Sequence, residues 1–201
     1  MRRPPRSTLF PYAAICRSFT LPGDYKEKRI ILHFGAADYY TVVFVNHQKA
    51  GVHLGGYDAF DFDITKYLKA GPNQIVVGVQ DKNDGRTVSG KNGPRGDYTY
   101  TSGIWQTVWL EPVADQYIKS IRLTPDVAGS RLLLSVAADN EATVEARVMS
   151  GGKLVTAAAG SANKQFAVDI KNPVLWSPDN PFLYDLEIKL KDKKGKVTDQ
   201  V

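Results

Sequence analysis

Two β-sandwiches in series are what this sequence predicts. Apolar and polar residues alternate through Tyr40, Val42 and Phe44 and again through Phe60, Phe62 and Ile64, the period of strands with one buried face. Short extended runs recur throughout, each ended by Gly, Pro, Asn or Asp, and no long stretch carries helical periodicity. Regular short strands with turn signals point to an all-β fold.

Taken in order, the first set of strands is expected at Ile30–Phe34, Thr41–Val45, Ala50–Leu54, Ala59–Asp63, Gln74–Gln80 and Thr107–Glu111. Asn46-His47 marks a tight turn, and Gly55-Gly56 frees the backbone for a bend before Tyr57. Ile64 to Lys69 makes one helical turn, capped by Thr65 and ended by Gly71-Pro72. A boundary falls near Val113–Gln116. Beyond it Ile118–Leu123, Arg131–Ala137, Thr143–Met149, Leu154–Ala158, Lys164–Ile170 and Leu183–Leu190 make about six strands, typical of an immunoglobulin-like sandwich. The expected divisions are therefore 1–16, 17–114 and 115–201.

Composition excludes several classes of function. A hydrophobic share of 43% against 23% charged residues fits a packed core rather than disorder. No run approaches the roughly 18 apolar residues of a membrane helix, so no membrane partner is expected. The formal charge of +5 is concentrated at one end: residues 1–18 carry Arg2, Arg3, Arg6 and Arg17 and no acid, leaving 22 basic against 21 acidic residues. A phosphate-binding face needs spread cations with aromatics among them, so no nucleic-acid partner is expected either. The single Cys16 excludes an internal disulfide and leaves the compartment open. The leader before Arg17 is interrupted by Pro11 and resembles an adapter joined to a coding fragment, so residues 1–16 are expected to be foreign and poorly packed.

Most chemically suggestive residues have structural explanations. Asp61 and Asp63 on one strand point the same way, so they do not flank a scissile bond as paired glycosidase carboxyls do. With Asp58 they read as solvent-facing acids alternating with Phe60 and Phe62. His33, His47 and His53 have no close paired ligand, Asp81 to Gly85 misses the calcium-loop spacing, and no metal or cofactor is implied. Trp105 and Trp109, four apart, would share one strand face. That arrangement suits sugar stacking, although a core anchor plus an inter-domain contact is the favoured reading. Trp176 reads as a plug between domains. The run from Asp81 to Gly103 exceeds the about 12–15 residues beyond which loops are usually functional or disordered; a solvated loop in which Asp81 and Asp84 serve turns is the equal alternative.

The hairpin LHFGAADYYTVVFVN, the run GVHLGGYDAFDFDIT, the strand GPNQIVVGVQD and the later TSGIWQTVWLEPV and LWSPDNPFLYDLEIKL together resemble family 2 glycoside hydrolases, from Phe19 to Leu190. The resemblance implies a jelly-roll-like (galactose-binding-like) sugar-binding domain, followed by an immunoglobulin-like one whose last strand lies just beyond Val201. It implies hydrolysis of a terminal β-glycoside, with retention, by two glutamates on a TIM barrel outside these 201 residues. The chain alone is then expected to be inactive, scaffolding the barrel and walling its pocket. By the same resemblance Asp84 would accept bonds from sugar hydroxyls. Lys91 and Arg95 fall where relatives carry RGKQ-like residues, here rearranged as SGKNGPRG, and Tyr98 and Tyr100 complete the rim candidates. The alternatives are a stand-alone carbohydrate-binding module using Trp105 and Trp109, or a structural sandwich pair. Which β-glycoside is cut is not legible.

Overall fold

The computed structural model describes residues 13–25, 27–81 and 102–201. These form two compact units, Met1–Val113 and Ala114–Val201, both built of antiparallel strands around their own apolar core. Among the described residues no helix is long and apolar enough to cross a membrane.

The first unit is a jelly-roll-like sandwich. Its strands are β1 (Ala13–Thr20), β2 (Arg29–Phe34), β3 (Ala37–Asp38), β4 (Tyr40–Val45), β5 (Gln48–Leu54), β6 (Phe60–Asp63), β7 (Pro72–Gln80), β8 (Gly103–Ile104) and β9 (Val108–Val113). They assemble as a four-stranded sheet β1-β7-β4-β5, a three-stranded sheet β6-β2-β9 and the short pair β3-β8. Ile30, Leu32 and Phe34 from one sheet meet Val43, Val45, Val77 and Val79 from the other; β4 therefore turns the face of Val43 and Val45 to the core, not the face of Tyr40, Val42 and Phe44 that the alternation picked out, because both faces of Y-T-V-V-F-V carry apolar residues. The β4–β5 hairpin turns at Asn46 and His47, whose φ values of 48° and 68° are those of a type I′ connection; His47 is exposed.

Two expectations for this unit change. Pairing of β1 with β7 begins at Ala13, opposite Val79, four residues before Arg17. Ile15 and Cys16 are half-buried there, so the end of the leader joins the sheet; residues 1–12 lie outside the described residues. The helical turn is a single 3₁₀ turn, Thr65–Tyr67, and Thr65 does not cap it with its side chain. Asp63 is the capping group instead: its Oδ1 accepts from the Thr65 amide at 3.0 Å and the Thr65 hydroxyl at 2.6 Å. The Thr65 hydroxyl oxygen in turn accepts from the Ile30 amide at 2.8 Å, and Arg29 donates twice to Asp63 Oδ2.

Burial pushes the Asp63 carboxyl up, but the hydrogen bonds from Thr65 and Arg29 outweigh it, and its pKa falls below the usual 3.8. Folding therefore favours the ionised form. The clamp's contribution is complete above the unfolded value of 3.8 and is lost as pH falls through the lower folded value. Because 39% of the Asp63 side chain is exposed, solvent screening holds the ion pair to about 1 kcal/mol or less. Asp63→Asn is expected to lower the melting temperature at pH 7 and to match the parent protein as pH drops below 3.8. Thermal unfolding followed by circular dichroism across that range checks this; a difference that does not shrink with acid refutes it.

The second unit is an immunoglobulin-like sandwich. Its strands are β10 (Ser120–Asp126), β11 (Arg131–Ala137), β12 (Thr143–Ser150), β13 (Lys153–Ser161), β14 (Gln165–Asp169), β15 (Asp185–Lys191) and β16 (Val197–Gln200). Sheets β10-β11-β14 and β13-β12-β15-β16 enclose Leu134, Val136, Val144, Ala146, Ile188 and Leu190. Val197–Gln200, a strand the sequence reading did not mark, pairs with β15, and Val201 exchanges both backbone bonds with Ile188. V-T-D-Q is short and polar, so its own sequence carries little strand signal; an apolar neighbour supplies the pairing.

Candidate functional site

Residues 38–40 form the hub of the first unit's most irregular corner. Asp38 pairs with Gly103, Tyr40 pairs with both Leu54 and Gln80, and the peptide bond between Asp38 and Tyr39 is cis. The Tyr39 amide donates to Gln80 O at 3.4 Å, and its carbonyl accepts from the Gly55 amide at 3.2 Å. Both stems of the segment 82–101, Gln80-Asp81 on one side and Gly103 on the other, thus attach to three consecutive residues.

Gly55 and Gly56 are required here for different reasons. Gly55 sits at φ +145°, a backbone that favours glycine, and a Cβ there would lie 3.1 Å from His53 Nε2 and 3.5 Å from Asp58 Oδ2. A Cβ on Gly56 would fall 2.6 Å from Asp38 Oδ1, so the 1%-exposed Asp38 carboxylate occupies the space a side chain would need. His53 stacks on Phe60 with ring centroids 3.9 Å apart, and its Nε2 is buried with no hydrogen-bond partner among the described residues.

The aromatic element of the corner is Trp105. Its indole N–H donates to Gly56 O at 2.8 Å, and the edge of Tyr57 meets it at 6.3 Å with the rings 73° apart. Backbone bonds from Trp105 and Gln106 to Ala36 O hold the segment between β8 and β9. Leu54, Tyr57 and Trp105 are 62%, 63% and 46% exposed, so apolar surface faces solvent beside the point where residues 82–101 depart. Ring faces with a fixed orientation and polar groups beneath them suit a sugar ring.

Asp84, Lys91, Arg95, Tyr98 and Tyr100 all lie outside the described residues. Asp81, whose carboxylate oxygens are buried, marks where their segment begins. Trp105 and Trp109 do not share a strand face: β9 starts at Val108, Trp105 sits in the bend before it, and Trp109 stacks on His33 at 4.8 Å. Neither is a core anchor, since each is nearly half-exposed. Asp61 and Asp63 do alternate with Phe60 and Phe62 on β6. Among the described residues no group of three or more His, Cys, Asp or Glu side chains is placed to hold a metal ion. Asp38 carried no motif in the sequence; an acid held inside an apolar run, with a Gly-Gly pair downstream, is the signal that locates it.

The chain matches two family descriptions: "Glycosyl hydrolases family 2, sugar binding domain" over residues 2–113 and "Glycosyl hydrolases family 2" over residues 108–201. The first span includes the leader. A putative beta-glucuronidase of Formosa agariphila is 34% identical over 182 residues, covering 85% of this chain and 22% of that protein. A beta-galactosidase of Thermoanaerobacter pseudethanolicus is 31% identical over 192 residues, covering 87% of this chain and 25% of that protein. Among solved structures, a β-glucuronidase from Ruminococcus gnavus superposes with a TM-score of 0.76 at 26% identity, over 94% of this chain and 34% of that one. The same enzyme has been seen in complex with D-glucuronic acid. The chain thus spans about a quarter of the length of these curated relatives.

Proposed function

The chain belongs to glycoside hydrolase family 2, and from that membership we propose that it serves as the non-catalytic front portion of a β-glycosidase, seating a catalytic barrel and lending one wall to its sugar pocket. The observation that carries this reading is the Trp105–Tyr57 corner. It presents two partly exposed aromatic rings, one of them pinned by the bond to Gly56 O, beside the stems of the long segment. Cleavage of a β-glycoside with retention needs two carboxyl groups about 5–5.5 Å apart across the bond. Asp61 and Asp63 lie on one face of one strand, which suits a structural part rather than catalysis. The chemistry then belongs to the remaining length of proteins such as the relatives, and this portion acts on substrate affinity.

A chimera tests this. Replacing the matching segment of the Formosa agariphila relative with this chain should preserve hydrolysis of a nitrophenyl β-glycoside that the parent relative cleaves. Trp105→Ala in that chimera should raise KM about tenfold and leave kcat within about twofold, because a stacking contact present in ground and transition states alike is removed. The 201-residue chain alone should give no turnover. An unchanged KM in the Trp105 variant sinks the pocket-wall role, and hydrolysis by the isolated chain sinks the non-catalytic one.

A further inference from the structure

His53 is an ionisable side chain set into the first unit with no part in the pocket wall. β5 brings it opposite Thr41, on the face that Val43 turns to the core. Its ring lies 3.9 Å from the Phe60 ring and 12° from parallel, and its Nε2 is buried without a hydrogen-bond partner among the described residues. A Cβ at Gly55 would be 3.1 Å from His53 Nε2 and 3.5 Å from Asp58 Oδ2, so both groups border the space of the missing side chain. Asp58 is exposed and makes no hydrogen bond or ion pair among the described residues. Thr41 and Phe60, which face the ring from β4 and β6, do not ionise. Asp38 and Asp81, whose carboxylates are buried at the same corner, have interactions of their own. Among the described residues Asp58 is therefore the carboxylate available to His53.

We propose that His53 is a proton-operated latch: when its ring takes up a second proton from solvent, Nε2–H draws Asp58 across the Gly55 gap, and the turn from Gly55 to Asp58 shifts and frees the Trp105 indole from Gly56 O. In the neutral ring one nitrogen donates and the other accepts, so a buried Nε2 stays unpaired at modest cost. An imidazolium in that place is a buried charge. Leaving it unpaired costs far more than the single neutral hydrogen bond that ties the turn to Trp105, so the turn gives way. Gly55 permits the movement twice over, by leaving the gap empty and by the backbone freedom of a residue without Cβ. The coupling to Trp105 runs through consecutive residues: Gly56 O accepts from the indole at 2.8 Å, the Tyr57 ring meets it at 6.3 Å, and Asp58 follows. Acid thus loosens the corner. A wall built from it would hold substrate less firmly at low pH; that consequence rests on the pocket-wall reading, and the movement itself does not.

Proton–nitrogen NMR of the full chain tests this, titrated across the range of about pH 5 to 8 in which imidazoles change charge. Its three tryptophans give separate indole signals, and Trp105→Phe identifies the one that matters. The Trp105 indole is expected to move in a single-proton step together with the His53 ring. Its exchange with water, corrected for the ordinary pH dependence, should speed about tenfold as one hydrogen bond is lost. Trp176, in the unit without histidines, should stay fixed, and Trp109 should follow His33, on which it stacks. His53→Phe keeps a ring against Phe60 and removes the proton site, so it should hold the Trp105 signal constant in a folded chain. The surface change Asp58→Asn should leave His53 titrating and abolish most of the Trp105 response. The latch is overturned if Trp105 stays fixed while His53 titrates, or if His53 stays neutral to the acid end of the range in a folded chain. An equal Trp105 response in His53→Phe or Asp58→Asn overturns it as well. None of these measurements involves a sugar, so a failed chimera would leave the latch standing.

Discussion

Gly51→Ala and Gly160→Ala are each expected to destabilise the unit that contains them by about 3 kcal/mol, the upper end of what overpacking a filled core costs. A Cβ on Gly51 would fall 2.1 Å from Phe62 Cε1, and one on Gly160 would fall 2.2 Å from Phe166 Cδ1. These are ring carbons that pack against their respective cores, so either ring must give up part of that packing to admit the Cβ. The two joints are equivalent in construction. Gly51 sits on β5 of a four-stranded sheet and Phe62 on β6 of the facing three-stranded one; Gly160 on β13 and Phe166 on β14 repeat this in the second unit. In both units an aromatic side chain fills the space of a missing one and thereby ties the two layers together at an edge. Chemical denaturation should show the loss. Phe62→Leu should partly rescue Gly51→Ala, and Phe166→Leu should not, since coupling is confined to residues in contact. A cost below about 1 kcal/mol for either glycine would contradict the geometry.

Strands with a clean alternation were legible. β6, F-D-F-D, is one; β4, Y-T-V-V-F-V, was legible as a strand but not in its buried face, since Val43 and Val45 join the core beside Val77, and the Asn-His turn behind it follows from which residues tolerate positive φ. β1 was not fully legible, because A-A-I-C beside arginines has no polar alternation; the backbone of β7 recruits it regardless of side chain. β16 was not legible for the opposite reason: V-T-D-Q is short and polar, and pairing with β15 makes it a strand. Thr65 was read as a cap from residue type alone, whereas the structure gives that role to Asp63 two residues earlier and spends the threonine hydroxyl on Ile30. A sequence shows that a capping group is present but not which of two neighbours takes the amide.

The site was less legible than the fold because its parts come from distant segments. Four-residue spacing puts Trp105 and Trp109 on one face only if the strand is continuous, and β9 begins between them. Once the strand is broken, one ring turns to Gly56 and the other to His33. Asp38 acquires meaning only through the glycine it abuts 18 residues later. Loop length alone directed attention to residues 82–101, and length says where a chain has freedom rather than which side chains use it.

Asn73→Ala is expected to cost about 3 kcal/mol, and the reason is a count of bonds that no other side chain at that position would make. Asn73 is 2% exposed. Its Oδ1 accepts from the Lys69 amide at 2.9 Å and from Asn46 Nδ2 at 2.7 Å, and its Nδ2 donates to Lys69 O at 2.9 Å and Gly71 O at 3.0 Å. Asn46 extends the network, donating to Tyr67 O and accepting from the Gln74 amide. Two side chains thus close the β4–β5 turn against the 3₁₀ turn and the start of β7, where backbone groups without ladder partners would otherwise be buried. Alanine removes all four of the Asn73 bonds; aspartate keeps the two accepted ones and loses the two donated, so Asn73→Asp should fall between. Asn46→Ala should be strongly non-additive with Asn73→Ala, by at least about 1 kcal/mol, because each deletion strands the other's partner. Urea denaturation of the single and double variants measures this. Additive costs would mean that water replaces the network without penalty, and the turn would then be held by its backbone conformation alone.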